Sequence, residues 1–121
     1  MEIKELQSQV AELLEVKGFL SKYDTIRDVI SSEISERVAN EVLGFYIGAL
    51  LATEPAEYID AVKKGKGLEA ELEEAADTII RALNVFILNN ADAETAIRAK
   101  MEKNFNRPHL YGHATAKEQA D

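Results

Sequence analysis

Cysteine is absent, which excludes disulfides, thiolate-bound zinc and a thiol nucleophile, and leaves the chain no redox chemistry of its own. Tryptophan is also absent, and only two prolines, Pro55 and Pro108, and six glycines interrupt the 121 residues. A chain with so few breakers and so much Ala, Leu, Glu, Lys and Ile reads as helix throughout. No alternation of apolar and polar residues is long enough for a strand. No apolar run approaches the roughly 20 residues that a membrane span requires. The longest, Val42 to Ala52 (VLGFYIGALLA), reads as buried helix. The opening residues, MEIKELQSQVAELLEVKG, hold charges throughout and lack a secretory-type apolar segment, so a cytoplasmic protein is expected. Basic residues are also in the minority: 14 Lys and Arg against 22 Asp and Glu give a net charge of −8. That balance opposes binding to a nucleic acid polymer, which relies on clustered cations. A single nucleotide carried on a divalent cation stays open, because the metal reverses the local sign of the field.

Apolar residues at steps of three and four, Ile3, Leu6, Val10, Leu13 and Leu14, predict a first amphipathic helix that stops near Gly18. A second is expected to begin after Ser21 to Asp24, pass through Ile26, Val29, Ile30, Ile34, Val38 and Val42, and continue into the apolar run. Thr53-Glu54-Pro55 reads as the start of a short helix with Pro in its first turn; it runs through Tyr58, Ile59 and Val62 to the turn KKGKG. From Leu68 to Asn89 a strong helix places Leu72, Ala76, Ile79, Leu83, Phe86 and Ile87 on one side. NNADAE then starts a last helix that Pro108 breaks after about Asn106. The expected fold is all-α: a helical bundle of four main helices plus a short one, forming one domain over residues 1–107, with a polar C-terminal tail over 108–121. A short chain buries a small share of its surface, and a run that is apolar on all sides needs cover from several directions. Gly44 and Gly48, four apart, suit tight packing at such an interface. Completion by a homo-oligomer, dimer or tetramer, is therefore expected.

Two carboxylate pairs stand three residues apart, Glu33 with Glu36 and Glu74 with Asp77, so each pair could offer two oxygens to one hard cation. On a helical wheel Glu33 falls within the apolar arc of Ile26 and Val29, with Glu36 at its edge. An ionised carboxylate there demands a metal or a partner such as Arg37. Glu74 and Asp77 lie opposite the stripe of Leu72, Ile79 and Leu83, and by periodicity alone form a solvated face with an Asp77–Arg81 pair. Lys100, Asn104 and Arg107 step by four and three, and a point charge, an amide and a planar fork suit phosphate oxygens; the alternative is a solvated basic face near a helix end. His109 and His113 lack an acidic partner at ligand spacing and read as solvated. The eight aromatics read as core or interface, and no Gly-rich phosphate loop or serine-nucleophile motif is present.

The segments SSEISERVANE, ELEEAADTIIRALNVF and AIRAKMEKNFNRPHLYGH resemble the MazG-like branch of the all-alpha nucleoside triphosphate pyrophosphohydrolases. In that family an E-x-x-E on one helix and an E-x-x-D on the next bind magnesium. The similar stretches follow the family's order over most of residues 26–113. The resemblance implies that Glu33, Glu36, Glu74 and Asp77 hold magnesium, or manganese in its place. It further implies that Lys100, Asn104 and Arg107 contact the triphosphate and that Glu36 or Glu73 accepts the proton of the attacking water. The implied reaction is metal-assisted hydrolysis of a nucleoside or deoxynucleoside triphosphate to monophosphate and pyrophosphate, as in house-cleaning of the nucleotide pool. The connection between Glu36 and Glu74, residues 37–73, is longer than the family's usual one. Two rivals remain at this level: phosphoribosyl-ATP pyrophosphohydrolase-type activity with the same metal chemistry, and a non-catalytic helical interaction protein whose carboxylates pair with Lys and Arg.

Overall fold

The computed structural model describes residues 2–110, 113 and 114, with 109, 110, 113 and 114 described by backbone alone. Five helices carry the chain: α1 (Ile3–Val16), α2 (Phe19–Glu33), α3 (Glu36–Lys63), α4 (Leu68–Leu88) and α5 (Ala93–Asn106). A two-residue ladder follows, β1 (His109–Leu110) antiparallel to β2 (His113–Ala114), with His109 opposite Ala114. The rest of the expected tail over 108–121 lies outside the described residues. Among the described residues, no helix is long and apolar enough to cross a membrane.

The boundaries of α1, α4 and α5 follow the apolar periodicity, but α2 and α3 are divided differently from expectation. The helix expected to run unbroken from the Ser21–Asp24 start to Ala52 ends at Glu33. Ser35 then caps α3, its hydroxyl accepting from the Val38 N–H at 3.1 Å. A capping hydroxyl satisfies a first-turn N–H, and Glu36 sits at the positive end of the new helix. Ile34 fits the apolar period and conceals this break.

Pro55, by contrast, starts nothing. The Thr53 hydroxyl donates backward to the Leu50 carbonyl at 2.7 Å instead of accepting from a downstream N–H, so no cap forms and α3 runs on to Lys63. Proline within a helix deprives one carbonyl, here that of Leu51, of its partner. Packing against α4 on both sides of Pro55, through Glu54 and Ala61, holds the helix together. There is accordingly no separate short helix.

Residues with positive φ close α3 and bound α4, whose N-cap is Gly67 (φ 97). Gly65 (φ 62) closes α3 through Gly65 N–H to Val62 O and Lys66 N–H to Ala61 O, and Asn90 (φ 52) closes α4 in the same way onto Ile87 and Phe86. Gln7 of α1 clamps the turn after α4, donating to Ala91 O at 2.8 Å and accepting from Ala93 N–H at 2.9 Å.

Asp92 caps α5, accepting from the hydroxyl and N–H of Thr95, and these bonds hold its carboxyl below the usual carboxylate range. Its folded pKa lies below its unfolded one. Its stabilisation is therefore complete above the ordinary carboxylate pKa and is lost as pH falls through the lowered value. Asp92→Ala is expected to lower the melting temperature at neutral pH and to narrow its gap from wild type as the buffer is acidified. A gap independent of pH in thermal scans would contradict the capping role.

Two apolar clusters form the core. Val10 and Leu14 of α1 meet Leu83 and Ala93, with Ile80, Phe86 and Ile87 around them. Tyr23 of α2 meets Leu43 and Ile47 of α3 and Leu88 of α4, and Phe19 and Leu20 join the two groups. Arg27 ties α2 to α3, donating to Tyr23 Oη at 2.7 Å and bonding Asn40. The apolar run Val42 to Ala52 is not enclosed: Leu43 and Ile47 are buried, but Phe45 is 79% exposed, and Val42 and Tyr46 also face outward.

Candidate metal centre

Glu74, Asp77, Arg81 and Asn84 follow one another on α4 at steps of three, four and three, so they share one helical face. Most of that face turns inward: Asn84 is buried and Glu74 and Arg81 are half-buried, while Asp77 is exposed. Leu72 and Ile79, expected in the core, are exposed. The reversal has a physical cause. α1 covers only the second half of α4, where Ile80, Leu83, Phe86 and Ile87 meet Val10 and Leu14. In the first half α3 lies against α4, and the half-buried positions there include Glu74 and Thr78 as well as Ala75.

Facing this stripe on α3 are Glu54 and Glu57, one helical turn apart. Carboxylate oxygens of Glu54, Glu57 and Glu74 all lie within 4.8 Å of one another. Glu54 is only 7% exposed, and its Oε1 accepts from Arg81 Nη2 at 3.4 Å. Glu74 Oε2 is buried with no hydrogen-bond partner among the described residues. Arg81 thus pairs with the buried Glu54, beside the half-buried Glu74 and the exposed Glu57. Burying the Glu54 and Glu74 charges together is costly unless a cation or protons compensate them. The donor set consists of oxygen alone, which suits a hard divalent ion such as magnesium or manganese and not a soft one, and the orphaned Glu74 oxygen is a free ligand atom. The residues present therefore fit such an ion.

A cleft of ≈ 210 Å³ adjoins the cluster; Glu54, Asp77, Arg81 and Asn84 line it, together with Lys17 beyond the end of α1 and Phe19 of α2. Phe19 is itself stacked on Tyr46 of α3, ring centres 6.4 Å apart. Arg81 spends its ion pair on Glu54 across the helix pair, not on Asp77 as the i, i+4 spacing suggested.

The other acids expected to ligate are elsewhere. Glu33 is the last residue of α2 and Glu36 the first of α3, both exposed, so they do not share a helical face. Along α3, residues 36 and 54 are separated by about 27 Å at 1.5 Å per residue, which keeps Glu36 away from Glu74 within one chain. Among the described residues, neither Glu33 nor Glu36 belongs to a group of three close acids. Arg37 pairs with Glu41 at 3.5 Å, so the alternative of a salt-bridge cluster with Arg37 is not formed either. Glu73 is exposed beside Glu74. Lys100 and Asn104 are exposed on α5, which packs on α1, and Arg107 lies past the helix end in extended conformation (φ −70, ψ 134). None of these three lines the cleft.

Glu54, Glu57 and Asn84 were not singled out from sequence. Glu54-Pro-Ala-Glu57 carries the same three-residue spacing as the pairs that were, and reading Pro55 as a helix start separated it from the site. No protein-family model, curated protein or solved structure matches the chain.

Proposed function

We propose that the chain is a cytoplasmic, divalent-cation-dependent hydrolase that converts nucleoside or deoxynucleoside triphosphates to monophosphate and pyrophosphate, in house-cleaning of the nucleotide pool. Glu54, Glu57, Glu74 and Asp77 are its ligands for magnesium or manganese. The observation that carries this reading is the convergence of three carboxylates from two helices around one orphaned oxygen, Glu74 Oε2. Further support comes from order along the chain. An E-x-x-E at Glu54–Glu57 and an E-x-x-D at Glu74–Asp77 are separated only by residues 58–73, a shorter connection than the one from Glu36, and they stand on consecutive helices. The MazG-like resemblance implies that arrangement of motifs.

When bound, the ion would clamp phosphate oxygens and offset the charge that develops on them. Glu54 is held against Arg81 and so presents its carboxylate from a fixed direction. Glu73, exposed beside Glu74, would accept the proton of the attacking water, Glu36 being too distant. Lys17 and Arg81 are the cations at the cleft and serve the phosphates. Lys100, Asn104 and Arg107 share that role only where a second copy brings its α5 to the cleft. Incubation with magnesium and a panel of common and modified triphosphates is expected to yield monophosphate and pyrophosphate. Release of inorganic phosphate alone, or no consumption of any triphosphate, would contradict the reading.

The active form is a homo-oligomer. Val42, Phe45, Ala49, Ala52, Ala56 and Ile59 recur at alternating steps of three and four along an exposed side of α3, the spacing of a helix seam. A second copy seated on this seam would cover Phe45 and bring the alanines of two α3 helices close. Phe45→Glu is expected to convert a wild-type oligomer to monomer in light-scattering chromatography. An unchanged mass for the variant would move the interface elsewhere.

A further inference from the structure

Asn84 is 3% exposed, and its Oδ1 is buried without a hydrogen-bond partner among the described residues. A carboxamide in that position destabilises the fold by its lost hydration unless something pairs with it. The ion does not explain it: the cluster of close acids is Glu54, Glu57 and Glu74, three helical turns away along α4 from Glu74 to Asn84. Asn84 instead lines the cleft, which joins an apolar side, with Leu14, Phe19 and Ile80 among it, to the charged Lys17, Glu54, Asp77 and Arg81. At ≈ 210 Å³ the cleft is smaller than the roughly 300 Å³ at which sites for whole ligands begin, so it suits a single ring system. Phosphates can meet Lys17 and Arg81 on the charged side, but against the apolar side a phosphate group would lose hydration with little in return. A planar base would not, and its edge offers adjacent donors and acceptors.

We infer that this cleft is the nucleobase subsite, in which the Asn84 carboxamide reads the hydrogen-bonding edge of the base while the phosphates extend over Glu54, Glu57 and Glu74. The identity of the ligand as a nucleotide rests on the proposed function; the presence of a polar-edged ring site in the cleft does not. A carboxamide carries donor and acceptor in one plane and pairs with two neighbouring atoms of a base edge. Asn84 therefore behaves as a specificity residue whose unpaired state in the free protein lowers stability and whose pairing with the base restores it.

The test uses Asn84→Leu, of similar size, on the full chain, with nucleoside monophosphates as probes in a chelator so that no metal binds and no turnover occurs. Saturation transfer from wild-type protein to base protons is expected, with the Asn84 side-chain amide resonances shifting on titration. In the variant, affinity is expected to fall tenfold or more, while the melting temperature rises because an unpaired polar group has been removed. A wild type that binds no monophosphate, a variant that binds equally well, or a variant that melts lower would each overturn the inference. Turnover of nucleoside triphosphates with magnesium separates the two readings. If wild type consumes them, the hydrolase reading stands whatever the base experiment shows. If none is consumed while monophosphate binding still depends on Asn84, the hydrolase reading fails and the ring subsite remains.

Discussion

Glu74→Gln is expected to lower magnesium-dependent triphosphate hydrolysis by about a hundredfold or more, since loss of even an outer partner of a metal ligand costs 10–100-fold. The fold should tolerate the change. Gln has the size of Glu, and the oxygen at stake, Oε2, makes no hydrogen bond that the substitution breaks. Removing one of three mutually repelling carboxylates relieves repulsion, so the melting temperature without metal should hold or rise while activity collapses. Glu54→Gln is expected to lose activity comparably, but with some loss of stability, because Arg81 then faces an uncharged partner in a half-buried place. Glu33→Gln should leave activity at the wild-type level, Glu33 being exposed at the end of α2. Steady-state rates of the three variants decide the matter: loss in Glu33→Gln with retention in Glu74→Gln would return the site to the break between α2 and α3.

Leu43→Ala is expected to destabilise the protein by about 2–5 kcal/mol, the range for large-to-small changes at sites that cannot collapse. Leu43 is 1% exposed and the one large side chain among the described residues with almost no accessible surface. It joins Tyr23 of α2 and Leu88 of α4 to α3, so a cavity there loosens three helices at once. Against a typical total of about 5–15 kcal/mol for a protein of this kind, that loss is a large fraction. Val16→Ala, at an exposed position, should stay within about 0.5 kcal/mol. Urea unfolding at fixed protein concentration measures both. Equal midpoints for the two variants would mean that the core is not where the α2–α3–α4 contact places it.

Much of the fold was legible because α1, the end of α3, α4 and α5 obey simple signals: apolar steps of three and four, Gly65 and Asn90 where φ must be positive, and Asp92 as a cap. The interior of the chain was less so. Ile34 continued the apolar rhythm across a break that only the Ser35 cap and Glu36 revealed, and Pro55 imitated a helix start while lying inside α3. Those two misread boundaries are why Glu33–Glu36 was singled out from sequence and Glu54–Glu57 was not. On α4 the apolar stripe through Leu72 and Ile79 and the polar stripe through Glu74, Asp77, Arg81 and Asn84 are equally periodic. Which of them faces inward depends on where α1 stops covering the helix, a tertiary fact that no local pattern contains. Periodicity therefore put both Glu74 and Asp77 on a solvated face, whereas Glu74 is half-buried and Asp77 exposed. Asn84 gave no sequence signal, because a lone amide within a helix is ordinary until its burial is known.

The account rests on a divalent cation held between α3 and α4, and crystals grown with manganese address it most directly, since the ion can be located by its anomalous scattering. The predicted result is a peak bonded by oxygens of Glu54, Glu57 and Glu74, at the roughly 2.0–2.2 Å expected for a small hard cation, that disappears in Glu74→Gln. A density map in which Arg81 or Lys17 neutralises those carboxylates and manganese is found elsewhere or nowhere would contradict it.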